Sequence, residues 1–197
     1  MARAALTVAE LDAFRARAVA AATKLFAERG YAGVTLRSLA KALGVSPMTP
    51  YRYFANKEAL FAMVRTEALR RFADVQRDAI SGIEDPEEAL QTLGRVYVRF
   101  ALDEPDAYHT IFDILQAQAG SYPELESEQA RAFSYLHAAV TAAVEAELMQ
   151  GEPLRRAHML WAQVHGLVSL HLAGKLVMGC GLDELMTSVF ERPEAAQ

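Results

Sequence analysis

The sequence predicts an all-α fold, with an N-terminal three-helix helix-turn-helix domain and a larger C-terminal helical body. Three observations predict it. Apolar residues recur at three- and four-residue spacing along most of the 197 residues, the period of a helix with one buried face. Glycine and proline turn signals cut that pattern into helix-length pieces near Gly30, Gly44, Pro86, Pro105, Pro123, Gly151 with Pro153, and Gly179 to Gly181. The sequence shows neither strand-like alternation nor an internal repeat.

Taken in order, the first helix carries Leu25 and Phe26 on its apolar face and stops at Gly30; Tyr31 then leads into Thr35, the expected N-cap of the second helix. The second places Leu36, Leu39, Ala40 and Leu43 at helical spacing and ends at Gly44. Ser46 caps a short third helix with Pro47 in its first position, where no amide partner is needed. Thr49, Tyr51, Arg52 and Tyr53 follow, polar or aromatic side chains able to reach phosphates and base edges. Residues 35–54 therefore read as a helix-turn-helix. A helix from Asn56 to Ile80 comes next, with Lys57 in its first turn and Leu60, Val64 and Leu69 on its apolar face. The spacing then predicts helices over about 87–102, 106–118, 124–149, 154–177 and 182–190.

The ungapped run from Ala22 to Leu60 carries Leu25-Phe26, Gly30-Tyr31, Thr35, Leu39-Ala40, Gly44-Val45-Ser46, Thr49, Tyr51, Tyr53-Phe54 and Asn56-Lys57-Glu58. It resembles the N-terminal domain of the tetracycline-repressor (TetR) family. The resemblance implies a DNA-binding domain over residues 12–72, with the helix-turn-helix at 35–54, and an effector-binding and dimerisation domain over 73–197. Thr35, Thr49, Tyr51 and Lys57 are the expected phosphate anchors, and Arg37, Pro47, Met48 and Arg52 the side chains nearest to bases. Two positions depart from the family pattern: Met48 stands where glycine is usual and Pro50 where leucine or isoleucine is usual. A proline in the fourth helical position removes the first intrahelical hydrogen bond and crowds the Ser46 carbonyl. The first turn is expected to tighten or shift, leaving Pro47, Met48 and Thr49 at an exposed tip. Met48 and Pro50 are alternatively apolar partners for thymine methyls.

Charge divides the chain independently of the motif. Residues 1–57 hold nine Lys or Arg against three Asp or Glu, a net charge of +6, while the remainder holds 11 against 22, a net charge of −11. A basic head attracts a polyanion and an acidic body repels it, so DNA docks in one orientation. With 52% hydrophobic residues the chain can bury a sizeable core. The stretch MARAALTVAE is too short and too soon charged for a secretory signal, and the apolar run from Gly166 to Leu182 is interrupted by His171 and Lys175. A lone Cys180 rules out an intrachain disulfide and fits a reducing cytoplasm. No membrane segment, cofactor or metal is expected.

In the body, Trp161, His165 and Gly166 within WAQVHGLVSL resemble the Trp-His-Gly signature of a C-terminal domain in part of the same family. Trp161, His165, Val168 and Leu172 share one helical face, suited to a pocket or core. Ala162, Gly166, Ser169 and Ala173 form a small-residue face that permits close helix approach. The resemblance implies pairing of C-terminal helices in a two-fold homodimer. Tyr97, Phe100, Tyr108, His109, Phe112, Phe133, His137, Trp161 and His165 are the candidate lining of a pocket for an unknown small-molecule effector, mostly apolar with a few orienting polar groups; Gln116 belongs to the same crowd. His158 and His165 lie seven apart without a third ligand at supporting spacing, which favours ordinary core histidines over a metal pair. There is no nucleophile elbow, phosphate-cradling glycine loop or HExxH pair.

The leading functional expectation is therefore a non-enzymatic, ligand-responsive transcriptional regulator, most often a repressor in such a family, that binds pseudo-palindromic double-stranded operator DNA as a homodimer. The alternative is a helical small-molecule-binding or catalytic protein whose basic head serves a non-DNA partner. Retention on duplex DNA at near-physiological salt separates the two.

Overall fold

The computed structural model describes residues 8–112 and 122–190. Among these residues the structure is helical, without strands. The elements are α1 (Val8–Gly33), α2 (Leu36–Leu43), a 3₁₀ turn (Pro50–Arg52), α3 (Lys57–Ile80), α4 (Pro86–Asp103), α5 (Pro105–Phe112), α6 (Pro123–Glu145), α7 (Pro153–Leu172) and α8 (Leu182–Phe190).

Proline sets the starts of the body helices. Pro86, Pro105, Pro123 and Pro153 are the first residues of α4, α5, α6 and α7, where the fixed φ suits the helix and the missing N–H would have had no partner. Asp85 caps α4 by accepting from the Glu87 amide at 3.1 Å. Glu152 caps α7 by accepting from the Leu154 and Arg155 amides at 2.9 and 2.7 Å, and these bonds hold its carboxyl below the usual range.

Helix ends differ from the sequence expectation in three places. α1 does not stop at Gly30 but kinks there, at φ 64° and ψ 175°, and runs on to Gly33. α6 stops at Glu145 rather than near Met149, and Glu147 has the positive φ of a terminating turn. α7 stops at Leu172 rather than near Val177: the Ala173 amide turns back to the Ser169 and His171 carbonyls, and Gly174 then takes a left-handed φ of 64°. The expected extension of α5 to Gln118, and Gln116 itself, lie outside the described residues.

The chain divides into two compact units. The first comprises residues 1–70 with 105–129, the second residues 71–104 with 130–197. In the first, α5 packs on α1, so compactness does not follow chain order. Its core joins Phe14, Val19, Leu25 and Phe26 of α1 to Leu36 and Leu39 of α2, Phe54, and Leu60, Phe61 and Val64 of α3. Phe26 and Phe61 meet at 4.8 Å between ring centroids, and Tyr31 meets Phe61 at 5.1 Å. Arg65 is buried in the same unit; its Nη2 donates to the Ile111 carbonyl of α5 at 3.3 Å, and burial pushes its guanidinium below its ordinary pKa. The second unit packs Leu90 and Leu93 of α4 against Val140 and Ala143 of α6 and Ala157 and Leu160 of α7.

Candidate nucleic-acid interface

The helix-turn-helix begins with a reciprocal cap. Thr35 Oγ1 accepts from the Ser38 amide and Ser38 Oγ accepts from the Thr35 amide, both at 3.0 Å. This capping box satisfies two amides that the first turn of α2 leaves unpaired, and Thr35 is exposed. Gly44 closes the helix at φ 65° and ψ 30°, a conformation other residues adopt only at a cost, and the Val45 amide bonds back to the Ala40 carbonyl at 3.0 Å.

After that turn the structure departs from expectation. Ser46 was expected to open an α-helix; instead the segment descends in steps of three residues. The Thr49 amide bonds to the Ser46 carbonyl at 2.8 Å and the Arg52 amide to Thr49 at 3.1 Å, while the Tyr53 and Phe54 amides both reach Pro50. Only Pro50–Arg52 is regular, as a 3₁₀ turn. The physical reason is Pro50, which has no amide to donate back to Ser46 and so breaks the α-ladder at its first link. Pro50 is also fully buried, which corrects its alternative assignment as a base contact: it anchors the loop in the core.

The tip is left to its neighbours. Pro47 and Met48 are exposed, Met48 at 67%. Arg37, Tyr51 and Arg52 are exposed as well, and Thr49 is half-buried. Tyr53 instead turns inward and stacks on Phe14 at 4.1 Å. Lys57 has a partner within its own chain. Its Nζ donates to the Tyr31 carbonyl at 2.9 Å and lies 4.2 Å from the centre of the Tyr31 ring, so it ties the start of α3 to the end of α1. An ammonium has three donors, and this bond uses one.

The proposed effector residues fall in both units. Tyr108, His109 and Phe112 lie on α5 in the first, with the Tyr108 and Phe112 rings 5.0 Å apart. Tyr97, Phe100, Phe133, His137, Trp161 and His165 lie in the second. There Tyr97 Oη and His165 Nδ1 are hydrogen-bonded at 2.9 Å, Phe72 packs on both Tyr97 and Phe100, and Phe133 lies near His158, His137 and Trp161. His158 pairs with the Leu154 carbonyl at 2.8 Å. On α7, Ala162 and Ala173 are exposed, Gly166 and Ser169 are half-buried, and a Cβ added to Gly166 would meet no atom within 4 Å. Leu154, Met159, Trp161 and Leu170 of the same helix are exposed too. Sequence reasoning missed Gln76, Gly94 and Phe190, which meet only in the folded body.

Residues 18–64 match the description "Bacterial regulatory proteins, tetR family", and residues 90–192 match "Tetracyclin repressor-like, C-terminal domain". The chain belongs to the tetracycline-repressor family. The C-terminal match contains Trp161, His165 and Gly166, and the narrower Trp-His-Gly assignment stays a resemblance. A helix-turn-helix-type transcriptional regulator of Mycobacterium tuberculosis is 33% identical over 89 residues, 45% of this chain and 44% of that protein. The match thus spans less than half of the relative's length. Among solved structures, a protein from Rhodococcus sp. RHA1 superposes with a TM-score of 0.76 at 24% identity, covering 89% of this chain and 91% of the other. The transcriptional regulator FadR from Bacillus subtilis in complex with stearoyl-CoA superposes at 0.74 with 18% identity, covering 89% and 95%. Both likenesses show the fold. Among the described residues no helix is long and apolar enough to cross a membrane.

Proposed function

We propose that this protein is a cytoplasmic, non-enzymatic transcriptional regulator that binds a pseudo-palindromic operator as a homodimer and is released from it by a small-molecule effector. The observation that carries DNA reading is the tip of the helix-turn-helix: a capped α2 and a proline-anchored turn that leave Arg37, Pro47, Met48, Tyr51 and Arg52 exposed together in the basic part of the chain. Thr35, Thr49, Tyr51 and Lys57 act on phosphates; Arg37, Pro47, Met48 and Arg52 are nearest to base edges. Residues 12–72 serve as the DNA-binding domain and 73–197 as the effector-binding and dimerisation domain.

The dimer reading is supported by α7. Of its small residues, Ala162 and Ala173 are exposed and Gly166 and Ser169 half-buried, and exposed Met159 and Leu170 stand beside them. Large apolar side chains left at the surface mark an interaction face. The bound stearoyl-CoA of the Bacillus subtilis neighbour supports a ligand-responsive body without fixing the ligand. Selection of bound duplexes from random DNA tests the proposal: it should yield one site with two-fold symmetry, and recovery of unrelated or asymmetric sequences would overturn it.

A further inference from the structure

The body unit holds a small void of about 30 Å³ among α3, α4, α6, α7 and α8. Its walls are Leu90, Leu93, Leu136, Leu160 and Val164, with Tyr97 and Trp161 at the edge. Gln76 of α3 also lines it, at 4% exposure, and the Gln76 side-chain oxygen is buried without a hydrogen bond. An unsatisfied buried acceptor in an apolar setting is costly and calls for a donor. Tyr97 does not supply one, since its hydroxyl is engaged with His165.

Phe190, at the end of α8, forms part of the wall of this void. A Cβ on Gly94 of α4 would overlap the Phe190 ring, so the ring sits in a notch that exists only because residue 94 has no side chain. Phe190 also borders two larger clefts, of about 890 Å³ between α4 and α8 and about 560 Å³ among α4, α7 and α8. One side chain thus borders the void that holds the buried acceptor and both neighbouring clefts.

We propose that this is a cryptic ligand pocket, gated by Phe190, that takes a compact apolar ring compound bearing one hydrogen-bond donor for the Gln76 oxygen. The inference rests on the body being an effector-binding unit, and it adds the gate, the polar anchor and the ligand class. Apolar walls supply most of the affinity, and the donor fixes orientation. A closed gate lowers apparent affinity by the fraction of molecules with Phe190 withdrawn.

The test uses two ring compounds of similar shape: indole, with an N–H, and benzofuran, without one. Phe190→Ala in the full-length protein should open a cavity able to hold an aromatic ligand, as an engineered apolar cavity of roughly 150 Å³ does. Calorimetry should then show indole binding to Phe190→Ala at least about tenfold tighter than to the parent protein, and about tenfold tighter than benzofuran. Adding Gln76→Leu should erase the preference for indole while benzofuran still binds. Gly94→Ala, which expels the ring by collision, should reproduce the gain if it folds; the Phe190→Ala result stands without it. Failure of Phe190→Ala to bind either compound would overturn the pocket, and equal binding of both compounds would overturn the role of Gln76. Operator affinity is measured separately: indole binding without any change in it would refute the effector reading and leave the pocket intact.

Discussion

The head and the body hold their working side chains in opposite ways. In the head, Arg37, Met48, Tyr51 and Arg52 are exposed, and neighbours close in sequence position them: the Thr35–Ser38 capping box, the Gly44 turn and the Pro50 anchor. In the body, Tyr97 and Phe190 are held by partners far along the chain, His165 for Tyr97 and Gly94 for Phe190. A surface that must meet a rigid duplex gains from local bonds that fix it before contact. The proposed pocket would gain from packing that can be undone in one place, because such packing has discrete alternatives.

Four substitutions break or sharpen this contrast, in order of expected effect. Gly166→Leu adds bulk where its own chain offers nothing within 4 Å, so the fold of the single chain should be unaffected and any loss should fall on association. Dimerisation should weaken by about 1 to 3 kcal/mol through overpacking at the seam, measured by sedimentation. An unchanged dimer would remove α7 from the interface. Arg52→Ala should cost a similar amount, about 1 to 3 kcal/mol, but only at one base pair of each half-site; a uniform loss across all sequences would reassign Arg52 to phosphate.

Lys57→Ala should lower unfolding free energy by about 1 to 2 kcal/mol, because it removes both the bond to the Tyr31 carbonyl and the cation over the Tyr31 ring. If a remaining donor also meets a phosphate, the salt slope of DNA binding should fall by about one unit. Denaturant melts and binding titrations of the same variant read the two effects apart. Thr35→Ala should have the smallest effect, about 1 kcal/mol in stability from the lost cap. A melt identical to the parent's would mean that the cap contributes nothing measurable.

The same contrast explains what the sequence made legible. The capping threonine, the Gly44 stop and the apolar face of α2 follow from short-range rules, and the structure places each as read; Gly30 marks a kink within α1 rather than its end. The prolines near 86, 105, 123 and 153 marked helix boundaries because of what a proline lacks. The tip was half legible: Pro50 signalled a disturbed turn, but its burial depends on a core assembled from α1, α2 and α3. The structural tie made by Lys57 was not legible because its partner, the Tyr31 carbonyl, is a backbone atom 26 residues away, and nothing in a side-chain pattern marks a carbonyl at a helix end as an acceptor. Gln76, Gly94 and Phe190 were illegible for a related reason. A glycine inside a helix, a polar residue on another and an aromatic at the end of a third become a site only when packing brings them together.

The central claim is that the head reads DNA, and affinity measured against salt tests it most directly. Binding to a selected two-fold duplex should fall by about 10³ to 10⁵ between 50 and 200 mM salt if about six to ten phosphates are neutralised by the two heads. At every salt concentration it should exceed binding to a random duplex of equal length. A salt-independent interaction, or equal affinity for the random duplex, would contradict the account.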